Sequence, residues 1–183
     1  QRAVQEEQIL VIGHPRYDHL FTLSTPSKDL VMKKYKLDFK KVTLLLATGP
    51  SLNPSQISSL IKGLSENQKF QVLLKPHPWE LAKNKTSLYT DLEKKYKFLH
   101  VITDRKVNTN QLIAISDGVI SSLSTVALEA LLQNKPAFVY YFIQSNREYD
   151  YYNALGKYHQ KTPNELIRNI TSYYTSKQER EEY

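Results

Sequence analysis

The run from Lys41 to Ala47, K-V-T-L-L-L-A, is apolar on both faces. A strand with no polar face has to be covered on both sides, as strands of parallel sheets are. The run is one of a series. Residues 8–12, 70–75, 98–102, 118–120 and 137–142 are further short apolar stretches. Segments of helical spacing separate them, over 27–37, 53–66, 80–96, 108–115 and the stretch after Ser124. This alternation, with crossovers of helical length, predicts an α/β fold with a doubly wound parallel sheet of about six strands.

Local signals mark the element ends. Pro54 stands at a first helical position after Asn53, with Ile57, Leu60, Ile61 and Leu64 spaced to face inward. Ser27 is placed to cap a helix carrying Leu30, Val31 and Tyr35. Asn134-Lys135-Pro136 stops the helix that follows Ser124, and Thr162-Pro163 starts a last one. Residues 145–161 read as a Tyr-rich loop holding Tyr149, Tyr151, Tyr152 and Tyr158. Residues 1–8 are polar and read as a linker remnant, and 177–183 as a charged tail, leaving 9–176 as one domain.

Composition narrows the function classes. With 183 residues, 40% hydrophobic and 23% charged, the chain has enough material for a single core. The net charge of +7 is spread over surface-type clusters such as Lys33, Lys34, Lys36, Lys40 and Lys41, then Lys94, Lys95 and Lys97. These suit solvated helix faces, an anionic substrate or an anionic membrane surface. Nucleic acid is a weaker reading, since no aromatic-basic module is present. The absence of cysteine excludes disulfides and thiolate metal sites and fits a reducing, cytoplasmic setting, with peripheral contact at the inner membrane face left open. No apolar run is long enough to span a bilayer. Neither Gly-x-Gly-x-x-Gly nor a Walker-type loop occurs, and no His/Asp/Glu cluster has metal-ligand spacing, so neither a bound cofactor nor a metal is expected.

Polar signals collect where the strands should end, which is where open α/β sheets bind ligands. Ser121, Ser122, Ser124 and Thr125 crowd hydroxyls at a strand-to-helix turn, where orphan N–H groups and the helix dipole hold phosphate. Glu129 follows five residues after Ser124, about 7–8 Å along the axis at about 1.5 Å per residue. That is a suitable reach for ribose hydroxyls. A plain helix cap with a solvated carboxylate is the alternative reading. Lys75-Pro76-His77-Pro78 is the second signal. The prolines restrict φ and keep the preceding residues out of the helical region. His77 is thus held rigidly at a strand end, where it can donate to phosphate, with Lys75 adding charge. Gly13, His14, Thr48 and Gly49 are further candidates for the cleft. His19 and His100 read as structural, and the role of His159 is undecided.

Lys75-Pro76-His77-Pro78, Ser121-Ser122-Leu123-Ser124-Thr125, Ala127-Leu128-Glu129-Ala130-Leu131 and Lys135-Pro136 together resemble the carboxyl-terminal donor-binding domain of GT-B-fold enzymes. The pattern is similar to the CDP-glycerol glycerophosphotransferases of teichoic acid synthesis and related capsule enzymes. It also resembles bacterial sialyltransferases with His-Pro and Ser-Ser/Thr motifs. Gly13-His14-Pro15-Arg16-Tyr17-Asp18 resembles the Gly-x-Pro-Arg-x-Asp stretch that opens this domain in the glycerophosphotransferases. The resemblance covers most of residues 9–169. It implies a Rossmann-like half of a GT-B transferase in cell-surface polysaccharide synthesis. Its donor would be CDP-, CMP- or UDP-linked, and its acceptor a polysaccharide or lipid-linked chain bound by an amino-terminal domain not contained here. It implies His77 as the catalytic phosphate contact, Ser121, Ser122, Ser124 and Thr125 as the phosphate cradle, beside which Lys75 adds its charge as a further phosphate candidate, and Glu129 as the ribose ligand. Such a half should bind its donor without turning it over alone. This chain has Ile120-Ser121-Ser122-Leu123-Ser124 where glycerophosphotransferases carry Thr-Asp-Tyr-Ser-Ser, so the transferred group stays open between a sugar and a polyol phosphate. A half of a UDP-N-acetylglucosamine 2-epimerase and a non-catalytic nucleotide-binding module are the other readings.

Overall fold

The structure, a computed structural model, describes residues 5–8, 10, 14–21, 27–49, 53–141 and 152–183. Among them six strands form one sheet: β1 Val42–Ala47, β2 Phe70–Lys75, β3 Leu99–Val101, β4 Gly118–Ser121, β5 Ala137–Tyr140 and β6 His159–Gln160. Every pairing is parallel, and the order is β3-β2-β1-β4-β5-β6. The order reverses between β1 and β4, and a crevice opens outside the carboxyl ends of the strands at such a switch point.

Alternate residues of each strand serve opposite cores, which is the physical content of the two-sided apolar runs. Leu44, Leu46, Val72, Leu74, Ile120, Phe138 and Tyr140 face α2 (Pro54–Ser65), α4 (Ser87–Lys95) and α7 (Pro163–Thr175). Leu45, Leu73, Val119, Ala137 and Val139 face α1 (Lys28–Lys34), α5 (Thr109–Ile115) and α6 (Thr125–Leu132). Ile57, Leu60, Ile61 and Leu64 of α2 are all fully buried, as their spacing predicts. The Asn53 side chain caps that helix by accepting from the N–H groups of Ser55 and Gln56. Ser27 precedes α1 but makes no side-chain cap bond.

Several expectations change. The helix expected over 80–96 is two, the short α3 (Pro78–Ala82) and α4. Asn84 takes a left-handed φ of 54°, and the Lys85 N–H donates to the Glu80 carbonyl at 2.8 Å. This Schellman ending closes α3 and turns the chain. The same device ends α6 at Asn134, φ 55°, before Pro136. Within the Tyr-rich loop, Asn153–Tyr158 is a 3-10 turn and His159–Gln160 pairs with β5 as the sixth strand. Tyr149 and Tyr151 lie outside the described residues. The strand expected over 8–12 also falls largely outside them, so its place in the sheet is not described. Where a charged tail was expected, Lys177–Glu182 forms α8. It is held by the Lys157–Glu179 ion pair and by Tyr183, whose hydroxyl accepts from the Ala137 N–H at 2.7 Å. Among the described residues no helix is long and apolar enough to cross a membrane.

Candidate functional site

The register brings three loops to one line. Ala47 of β1 pairs with Lys75 on one side and Ser121 on the other. Their strands are about 4.8 Å apart, so Lys75 and Ser121 bracket about 10 Å of sheet edge. The loops leaving that edge carry Pro76-His77-Pro78, Thr48-Gly49 and Ser122 to Thr125. They are the turns singled out in the sequence, and they meet at the switch point.

His77 is partly buried rather than part of either core. It is the N-cap of α3: its Nδ1 accepts from the Trp79 N–H at 3.1 Å. A nitrogen that accepts carries no proton, so the neutral ring is protonated on Nε2, the atom left to donate elsewhere. The His77 N–H lies 3.1 Å from the Thr48 Oγ1 and 2.9 Å from the Glu80 Oε2. The Thr48 hydroxyl also donates to that oxygen, at 2.5 Å. The Tyr89 hydroxyl donates to the Glu80 Oε1 at 2.7 Å. Burial, reinforced by the hydrogen bond to Glu80 and its charge, pushes the Tyr89 phenol well above its ordinary range. Thr48, expected as a cleft lining, is therefore a buried internal tie.

The hydroxyl turn divides in two. Ser121 and Ser122 are buried, and the Ser121 hydroxyl donates to the Ser122 carbonyl at 3.0 Å. Ser124 is half-buried and caps α6 by accepting from the Val126 N–H at 3.4 Å, and Thr125 is exposed. The half of the turn nearer solvent is therefore Ser124 and Thr125, while the Val126 N–H is taken by the Ser124 hydroxyl and the Ala127 N–H donates to the Ser124 carbonyl at 3.1 Å. Tyr152 supports it from the Tyr-rich loop, with its hydroxyl 2.5 Å from the Ser124 carbonyl as donor. Tyr140, fully buried at the end of β5, donates to the Ala47 carbonyl at 3.2 Å and is also hydrogen-bonded to Ser122. Glu129 is 6% exposed on α6. Burial first, then Tyr17, then Glu129, raise the Tyr152 phenol, so the carboxylate stands close to that ring.

Two candidates stand elsewhere. The Lys75 ammonium donates to the Asp104 carbonyl at 2.6 Å, toward β3 and away from the hydroxyl turn, and burial lowers its pKa. Lys75 side-chain direction follows from the sheet, since position 75 shares the face of Leu73. His14 is exposed, with its ring 5.1 Å from that of Tyr17, just before the 3-10 turn Pro15–Phe21 that packs on α6. Gly13 lies outside the described residues. Glu80, Tyr89 and Tyr140 support the site without having been expected there, and Tyr152, expected only as part of the Tyr-rich loop, supports it too. Only Glu80 carried a signal, the capping-box spacing three residues after His77.

Solved structures share this fold at low identity. The wall teichoic acid polymerase TagF soaked with CDPG matches at TM-score 0.61 and 20% identity, over 98% of this chain and 45% of that one. The S. aureus MnaA–UDP structure matches at TM-score 0.68 and 12% identity, over 95% of this chain and 48% of that one. The UDP-GlcNAc 2-epimerase of Methanocaldococcus jannaschii also matches at TM-score 0.68, with 16% identity, over 95% of this chain and 51% of that one. The chain thus spans about half the length of each, and the fold is the Rossmann-like half of a GT-B architecture. Sequence comparison finds no match among curated proteins. The model of one family, CDP-Glycerol:Poly(glycerophosphate) glycerophosphotransferase, matches residues 1–183. With that match end to end, and with the His-Pro and hydroxyl turns meeting at the switch point, the chain belongs to the CDP-glycerol glycerophosphotransferase family.

Proposed function

We propose that this chain is the donor-binding half of a GT-B transferase that binds CDP-glycerol and supports transfer of its glycerophosphate to an acceptor hydroxyl. The observation that carries this reading is the meeting of His77, Thr48-Gly49 and Ser122 to Thr125 on three adjacent strand ends at the switch point. The donor diphosphate lies across that line. The Nε2–H of His77 contacts it from one side, and the Ser124 and Thr125 hydroxyls at the positive end of the α6 dipole contact it from the other. Glu129 lies one turn further along α6, within reach of the ribose once the donor displaces its present neighbours.

In the reaction an acceptor oxygen forms a bond to the phosphorus that carries glycerol. The bond from that phosphorus to the oxygen bridging to CMP breaks, and CMP leaves with the electron pair. The acceptor proton goes to a base on the acceptor side, in a second domain facing the crevice. Charge gathers on the CMP phosphate, and fixed donors already aimed there lower the barrier without reorganising. The acceptor is a polyol-phosphate or lipid-linked chain. Lys33, Lys34, Lys36 and Lys40, exposed beside Leu30 and Phe39, suit peripheral contact with the anionic membrane that would carry such a chain.

The epimerase reading needs a free acid near His77. The acid bonded to the His77 backbone is Glu80, and both its oxygens accept internal hydrogen bonds. That argues against proton abstraction from a sugar. Calorimetric titration with CDP-glycerol, CDP, CMP, UDP and GDP tests the proposal. Binding of CDP-glycerol in preference to UDP and GDP is expected. Preference for UDP, or no nucleotide binding at all, would overturn it.

A further inference from the structure

We infer that Glu80 is a positioning residue for His77, an inference that rests on the phosphate-contacting role proposed above. Glu80 is only 6% exposed, and burying a carboxylate is costly unless its oxygens are satisfied. Here its hydrogen bonds come from three separate pieces of chain. They are the Thr48 hydroxyl from the β1–α2 loop, the His77 N–H from the His-Pro turn and the Tyr89 hydroxyl from α4. All three donors are neutral, so the charge is not there to make an ion pair with them. What a carboxylate offers over an amide is acceptance on both oxygens at once, with no donor of its own to place.

The consequence falls on the imidazole. Glu80 fixes the His77 backbone and the first turn of α3. That turn sets the Trp79 N–H, which points at the His77 Nδ1. An Nδ1 held as acceptor leaves the ring proton on Nε2, the side that faces away from α3 and can meet a phosphate. Glu80 also ties His77 to Thr48, so two of the three crevice loops move as one body. A shift of that anchor moves the His77 ring against the donor phosphate, and misplacement near 1 Å costs about 10²-fold in rate.

The test uses Glu80→Gln, His77→Ala and the double variant in the complete transferase, with CDP-glycerol as donor. Glu80→Gln should lower kcat by about 10- to 100-fold with a smaller change in KM for CDP-glycerol. In the His77→Ala background it should add no further loss, because it acts through that ring. The ¹⁵N shifts of the His77 ring give a readout that does not depend on transfer. The parent should show a bare Nδ1 and a protonated Nε2, and Glu80→Gln a mixture of tautomers. Parental kcat in Glu80→Gln, a full multiplicative loss in the double variant, or an unchanged tautomer would each overturn the inference. If Glu80→Gln does not fold, Thr48→Val removes one donor while keeping the carboxylate and carries the same comparisons. Full transfer by His77→Ala alone would instead sink the role proposed for His77, and the tautomer measurement would still judge Glu80.

Discussion

Gly49 and Ser122 stand in direct apposition: a methyl group added at Gly49 would lie 2.9 Å from the Ser122 Oγ. The β1–α2 loop therefore packs on the hydroxyl turn on one side, while Thr48 ties it to His77 on the other. The three loops at the switch point form a continuous floor.

Gly49→Ala should break that floor. Ser122 is buried and hydrogen-bonded to Tyr140, so its hydroxyl has little room to retreat. Overpacking of this kind costs about 1–3 kcal/mol. Denaturant unfolding should show that loss, and calorimetry a weaker affinity for CDP-glycerol. Parental values in both would mean that the apposition is slack.

His77 has two roles that substitution can separate. His77→Ala loses a helix cap, which costs about 1 kcal/mol, and should cut transfer in the complete enzyme by about 10²–10³-fold. His77→Asn restores a good cap without an Nε2–H at the same reach. It should melt near the parent yet transfer as poorly as the Ala variant. Recovery of transfer along with stability in His77→Asn would show the histidine to be only a cap.

The turn at α6 makes a parallel case. Ser124→Ala with Thr125→Ala should weaken CDP-glycerol binding by about 1–3 kcal/mol, the range for hydrogen bonds to charged groups. The lost cap should lower stability by about 1 kcal/mol. A stability loss with unchanged affinity would leave Ser124 as a cap and nothing more.

Acid should destabilise the fold through two histidines. Burial lowers His100, with Glu93 partly offsetting it, and burial and then Lys161 lower His159, both from an ordinary value of 6.5. Below that value the unfolded chain takes up protons that the folded chain refuses, so stability falls as pH drops under 6.5 and is unaffected by these groups above it. The His159 Nε2 is also buried without a partner among the described residues. Unfolding free energies measured between pH 5 and 8 should show this slope. His100→Gln and His159→Gln should each flatten it, and identical slopes in parent and variants would contradict the assignment.

Much of this could be read in the chain because the signals were local. The V-T-L-L-L-A run is apolar on both faces since helices cover both, and Asn53-Pro54 caps α2 as its spacing requires. The break in 80–96 depends on one residue, Asn84, entering the left-handed region, which Asn only tolerates. The strand His159–Gln160 is too short to leave a period-2 pattern. Helix α8, K-Q-E-R-E-E, is polar all round. It depends on pairs such as Lys177–Glu181 at 3.3 Å and on Tyr183 against Ala137, a tertiary contact no local rule foresees. At the site, the His-Pro and hydroxyl turns were legible from proline and serine chemistry. Lys75 was placed by charge alone, and the pleat sends it to Asp104 instead. Glu80 shows a capping spacing, but its bond to Thr48 spans 32 residues, so only the fold reveals it.

The most direct measurement is a backbone amide chemical-shift map of the protein titrated with CDP-glycerol. Shifts should concentrate at His77, Gly49, Ser122 to Val126 and Glu129, on the carboxyl side of β2, β1 and β4. Saturable binding should accompany them, and His77→Ala should weaken it. Shifts gathered elsewhere, such as along His159 to Glu165 at the far edge of the sheet, or no saturable shift at all, would contradict a donor site at the switch point.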